Sequence, residues 1–145
     1  MADKSLIGRS LGVTSVEVEK GRLRFFAKAI GETDPIYTDE AAAQAAGYKS
    51  LPVPPSFFMC LGGEGRDLVE QLNIYGFDLG RILHAEQSFV YHKPAVAGDV
   101  LTFDTKIADV YDKKGGALQF VVNETRVTNQ DGEHIADVRG TVVQR

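Results

Sequence analysis

From Arg81 to Val143 apolar and polar residues alternate with a period of two, and this half of the chain leaves the other half few ways to fold. Leu83, Ala85, Phe89 and Tyr91 fall on one face of an extended segment that Pro94 ends. Ala97-Gly98-Asp99 turns the chain. Leu101, Phe103, Ile107 and Tyr111 then line a second strand, and Asp112 to Gly116 reads as a hairpin turn. Leu118, Phe120 and Val122 carry a third strand to about Thr128, Asn129 to Gly132 turns again, and Ile135 to Val143 forms a fourth. Near the N-terminus, Val13 to Glu19 adds a short strand through its β-branched residues and the alternation of Val16 and Val18. A sheet patterned this way presents an apolar face that another element must cover.

The cover lies in the middle of the chain. Leu23, Phe26, Ala27 and Ile30 recur at helical spacing and predict a helix ending near Gly31. Thr38 or Asp39 can cap a second helix from Glu40 to Ala46, closed by Gly47. Pro52, Pro54 and Pro55 then demand an extended connection. Pro55-Ser56 opens a third helix running to about Leu72, with Phe57, Phe58, Leu61, Leu68, Val69 and Leu72 as its apolar contacts. Gly62, Gly63 and Gly65 interrupt it, each at a cost of roughly 1 kcal/mol relative to alanine, so a break or a close approach is expected there. The trio follows no strand, which argues against a nucleotide loop. The class is α+β, an antiparallel sheet around a buried central helix.

At 145 residues a single domain over 1–145 is expected, with a core that needs no disulfide; Cys60 has no second cysteine to pair with. The first ten residues lack the apolar stretch of a signal peptide, and nowhere do eighteen apolar residues run together, so a soluble cytoplasmic protein with no membrane segment is expected. The net charge is −4 and the basic residues are scattered, which argues against nucleic acid as a partner. Metal ligation is not expected. His84 and His92 stand about 26 Å apart along an extended strand, His134 is isolated, and Cys60 lacks a second thiol. Edge strands of an open sheet invite a partner chain.

Chemistry concentrates in Gly31 to Ala42, which holds Glu32, Asp34, Asp39, Glu40 and the phenol of Tyr37 between two helices. On composition alone these are solvated acids. The order Phe26…Gly31-Glu32-Thr33-Asp34-Pro35-Ile36-Tyr37-Thr38-Asp39, however, resembles the hydratase motif of the MaoC-like (R)-specific enoyl-thioester hydratases and 3-hydroxyacyl-thioester dehydratases. Its usual form is a Phe or Tyr followed by Gly-Asp-x-Asn-Pro-(Leu/Ile)-His-x-Asp. Pro54-Pro55-Ser56-Phe57, His84 to Pro94 and Ala97-Gly98-Asp99 have counterparts in the dehydratase-like N-terminal domains of that family. The resemblance spans about residues 10 to 143. It implies a hot dog fold, pairing of two hot dog units as a homodimer or heterodimer, an acyl thioester of coenzyme A or acyl carrier protein as substrate, and no cofactor.

Hydrating an enoyl thioester requires a base for water, an acid for the α-carbon and donors for the enolate oxygen. In the family an Asp, a His and backbone amides supply these. Glu32 stands at the Asp position, Asp34 at the Asn position and Tyr37 at the His position. Glu32 adds a methylene, and a phenol is a feeble base at neutral pH. His84 is the available substitute base, sharing a face with Glu86 if the strand is regular. Gln87 falls on the apolar face, where it needs a protein or ligand partner. The amides of Ser56 and Phe57, at a helix entry, are candidates to face a thioester carbonyl. Three functions follow: a hydratase/dehydratase subunit with a degenerate motif that works beside a catalytic partner, a self-sufficient hydratase using Glu32 or Asp34 with Tyr37 or His84, and a non-catalytic thioester binder or hot dog thioesterase.

Overall fold

The structure, a computed structural model, describes residues 2–145. Its strands are β1 (Ser10–Glu17), β2 (Ile82–Tyr91), β3 (Val100–Lys113), β4 (Leu118–Thr128) and β5 (His134–Gln144), and its helices are α1 (Lys20–Ala29), α2 (Glu40–Ala45), α3 (Phe57–Gly63) and α4 (Leu68–Tyr75). All five strands join in one antiparallel sheet of order β1-β3-β4-β5-β2. The turn at Ala97-Gly98-Asp99 therefore does not close a hairpin. β2 lies at the far edge against β5, from Ile82 opposite Gln144 to Tyr91 opposite Ala136. Its connection to β3 crosses the end of the sheet, held by Val53 N donating to Ala95 O (2.9 Å), Ala97 N to Leu51 O (2.8 Å) and Gly98 N to Val18 O (2.8 Å).

The sheet wraps α3, the arrangement of a hot dog fold. Phe57, Phe58 and Leu61 are buried against Leu101, Phe103, Val127 and Ile135. Leu72 and Tyr75 of α4, with Phe77, bury against Ile107, Val110 and Val121 in a second cluster. The long helix expected to reach Leu72 is two helices. Gly65 adopts φ +70° between them, and Asp67 starts α4 by accepting from Val69 N (2.8 Å) and Glu70 N (3.2 Å). This restart resets the helical phase. Leu72 and Tyr75 turn inward while Leu68 and Val69, expected in the core, are exposed. α1 buries Leu23 and Ala27 as its spacing predicts, but Ile30 at its end is exposed.

Two bulges shift the expected strand faces. On β3 the register slips between Ile107 and Asp109, so Val110 takes the inward place expected of Tyr111, whose ring instead stacks on Phe120 with centroids 4.7 Å apart. On β2 it slips between His84 and Glu86, which reverses the face of every residue before Ala85. Leu83 thereby leaves the face that Phe89 occupies.

The glycines of α3 serve different ends. A Cβ at Gly62 would lie 3.0 Å from Cδ1 and 3.2 Å from Cε1 of the fully buried Phe103 ring, whereas one at Gly63 would meet nothing within 4 Å. Gly62→Ala should thus destabilise the protein by about 1–3 kcal/mol through overpacking, and Gly63→Ala should stabilise it by about 0.5–1 kcal/mol; urea denaturation of the pair gives the two signs. The Tyr75 hydroxyl donates to Asn123 Oδ1 (3.0 Å) and accepts from Gln71 Nε2. Burial above all raises its pKa, against those hydrogen bonds. The folded state therefore disfavours the phenolate, and the stability this group contributes is complete below about pH 10 and lost as pH climbs toward the raised value. Tyr75→Phe should cost about 1–2 kcal/mol at pH 7 and make the decline above pH 10 shallower in the same denaturation assay.

Candidate functional site

α1 stops where Gly31 takes φ +71° and Glu32 N reaches back to Ala27 O at 2.9 Å. Glu32 then folds onto its own loop, its Oε1 accepting from Thr33 N (2.8 Å) and Asp34 N (2.9 Å). Asp34 accepts from Ile36 N (3.1 Å) and so starts the single 3-10 turn Pro35–Tyr37, and Asp39 accepts from Ala41 N (2.9 Å) to start α2. Glu40 is held by Lys20 Nζ (2.8 Å) and Ser50 Oγ (3.1 Å). Each carboxylate of this segment is thus employed in shaping it.

Tyr37 faces a hollow of about 300 Å³, bordered by Tyr48, Pro55, Phe58, Tyr91 and His92. Its pKa is raised, first by burial and then by the negative charge around it, from Glu32, from Tyr48 once ionised and from Asp34. It stands there as a neutral hydroxyl, able to donate a hydrogen bond and unable to act as a base at neutral pH.

A second hollow, about 290 Å³, opens between α3, α4 and the face formed by β2, β5 and β4. The bulge at Ala85 turns His84 into it together with Gln87, and His84 Nε2 lies 3.1 Å from Gln87 Oε1. His84 therefore does not share a face with Glu86, and Gln87 has His84 and Phe89 as its face neighbours rather than Leu83 and Ala85. Gly140 opposite Gln87 leaves the amide its room, since a Cβ there would come within 3.2 Å of Oε1. Arg66, from the break between α3 and α4, enters the same hollow and donates to Thr105 Oγ1; burial lowers its pKa. Gln87 Nε2 and Arg66 Nε are buried without a partner among the described residues. Phe58 borders both hollows. The structure brings Glu32, Asp34 and Tyr37 together and brings His84 and Gln87 together, but Tyr37 borders one hollow and His84 and Gln87 the other.

At the entry of α3, Phe57 N is already committed to Pro54 O at 2.9 Å, and the Phe57 ring packs on Phe26 with centroids 4.5 Å apart. The exposed Ser56 makes no capping bond with its side chain. Sequence patterning missed Arg66, which a break with an unknown angle could not aim, and missed Tyr48 and Tyr91 as neighbours of Tyr37. It also took His134 as isolated. His92 and His134 in fact converge on Asp137, a meeting that depends on the pairing of β2 with β5.

Residues 5–138 match the family described as FAS1-like, dehydratase domain region. The chain is 33% identical over 144 residues to a UPF0336 protein of Saccharopolyspora erythraea, covering 99% of this chain and 91% of that one. It is 35% identical over 144 residues to a UPF0336 protein of Streptomyces avermitilis, with 99% and 95% covered. Among solved structures it superposes on a chain of the HadBC (3R-hydroxyacyl-ACP dehydratase) complex of Mycobacterium tuberculosis with a TM-score of 0.78 and 27% identity, covering 95% and 96%. The (R)-hydratase of A. caviae involved in PHA biosynthesis shares the fold, with a TM-score of 0.69, 20% identity and 94% of each chain covered. No helix among the described residues is long and apolar enough to cross a membrane. The chain belongs to the FAS1-like dehydratase-region family, and its hot dog fold is that of the MaoC-like (R)-hydratases and 3-hydroxyacyl-thioester dehydratases.

Proposed function

We propose that this chain is the subunit of a hydratase/dehydratase of enoyl and 3-hydroxyacyl thioesters that holds the acyl group, while a paired hot dog subunit supplies the Asp and His of the catalytic dyad. The observation that carries this reading is the state of the loop. Glu32 Oε1 is tied to the amides of Thr33 and Asp34, Tyr37 is a neutral phenol in place of an imidazole, and His84, the substitute base, borders a different hollow from Tyr37. The likeness to HadBC, a dehydratase that is a complex, supports a two-chain assembly. In this reading the Tyr37 hydroxyl donates to the thioester end of the substrate. The acyl chain passes Phe58 into the second hollow, where Gln87 and Arg66 offer free donors to a polar substituent.

The alternative of a self-sufficient hydratase needs Glu32, whose Oε1 is committed to two amides, to take the proton of water through Oε2 and to find a proton donor for the α-carbon beside it. A thioesterase would release thiol. Both are separable from the subunit reading by one assay: loss of the enoyl-thioester absorbance on a short trans-2-enoyl-CoA, with a parallel free-thiol readout.

With the purified chain alone, hydration should run about 10²- to 10⁴-fold below that of the chain assembled with its hot dog partner, the range a missing general acid–base pair accounts for. No thiol should appear. Efficient hydration by the chain alone, abolished by Glu32→Gln, would establish the self-sufficient reading instead. In the assembled enzyme, Tyr37→Phe should lower kcat/KM by about tenfold, as expected for loss of one hydrogen bond to the substrate at about 1–1.5 kcal/mol.

A further inference from the structure

We propose that His92, His134 and Asp137 form a binding site for one divalent transition-metal ion, of the zinc type, on the outer face of the sheet. His92 follows the end of β2, and His134 begins β5. The backbone of His92 is fixed by its N–H donating to Ile135 O at 2.8 Å. On a regular strand His134 and Asp137, three residues apart, would point to opposite faces. The register break between Val127 and Thr128, which skips Ile135, puts them on the same one. Ala136 is fully buried on the inner face, so Asp137 stands outside, opposite Val90.

The carboxylate sits between the two rings. Asp137 Oδ2 is 2.7 Å from His92 Nε2, and Oδ1 is 2.8 Å from His134 Nε2, with the ring centroids 4.1 Å apart. The three ligand atoms lie within 4.8 Å of one another. Zinc binds imidazole nitrogen and carboxylate oxygen at about 2.0–2.2 Å, which places tetrahedral neighbours about 3.4 Å apart. That value lies between the present hydrogen-bond lengths and the outer spread, so an ion enters by small rotations of side chains that solvent reaches. Binding through Nε2 requires each neutral imidazole to carry its proton on Nδ1. Two imidazoles and one carboxylate suit Zn²⁺, Ni²⁺ or Cu²⁺ and leave a position for water. The ion would join the end of the edge strand β2 to β5.

The test is calorimetric titration of the full chain with Zn²⁺ at pH 7.5, in a Cys60→Ser background that removes the free thiol, together with the visible absorption of Co²⁺. One ion should bind per chain. His92→Ala, His134→Ala and Asp137→Asn, each verified as folded by circular dichroism, should each weaken binding at least about tenfold and erase the tetrahedral Co²⁺ spectrum. Zn²⁺ at about 100 times its dissociation constant should raise the thermal midpoint by about 5–10 °C in the parent and not in the variants. Absence of saturable binding, or binding that all three variants retain, would overturn the proposal and leave the trio as a hydrogen-bonded clamp.

Discussion

The contact between Gly62 and Phe103 sets the distance between the central helix and its sheet. With no side chain at Gly62, the helix backbone settles directly over a fully buried ring, and the neighbouring side chains of α3 take their places around it. Phe57, Phe58 and Leu61 reach the first apolar cluster because the helix lies this low. The sequence that permits this closeness also weakens the helix, and within a few residues it breaks. α4 then starts afresh under the cap of Asp67, on a different phase, to build the second cluster. Both hollows described above border Phe58, at the margin of this one contact.

Much of the architecture was legible in the sequence because it follows from local rules. The strands, the two short helices, the proline-stiffened connection and the glycine-disturbed centre are all readable from alternation, caps and turn chemistry. What escaped were single-residue events with long reach. A bulge at Ala85 and a slip between Ile107 and Asp109 invert the parity of whole strand segments, moving Tyr111 outward and His84 inward. Neither is written in a local signal, since each is selected by packing against strands distant in sequence. The partnership of β2 with β5 escaped for the same reason, because the turn after β2 resembles one that would close a hairpin.

The candidate site divides along the same line. The loop from Gly31 to Asp39 is compact, and its turns could be read from Gly, Pro and Asp alone; its kinship with a hydratase motif was visible residue by residue. The use of its carboxylates was not. Glu32, Asp34 and Asp39 each spend an oxygen on nearby backbone amides, and an acid that shapes a loop looks in sequence like an acid that does chemistry. The meeting of His92, His134 and Asp137 needed a pairing between strands more than forty residues apart, which spacing along the chain cannot express.

The strand order also governs how the chain comes together in time. β3, β4 and β5 are consecutive and pair through short turns, so they can assemble locally. Both edges are different: Ser10 pairs with Lys106, and Ile82 with Gln144. During synthesis β1 has no strand to join until β3 has followed it, and β2 waits for β5. Closure of such distant loops is slow relative to the formation of the central hairpins. Until it occurs, β3 and β5 present open edges, and any strand that reaches them earlier competes with the chain's own.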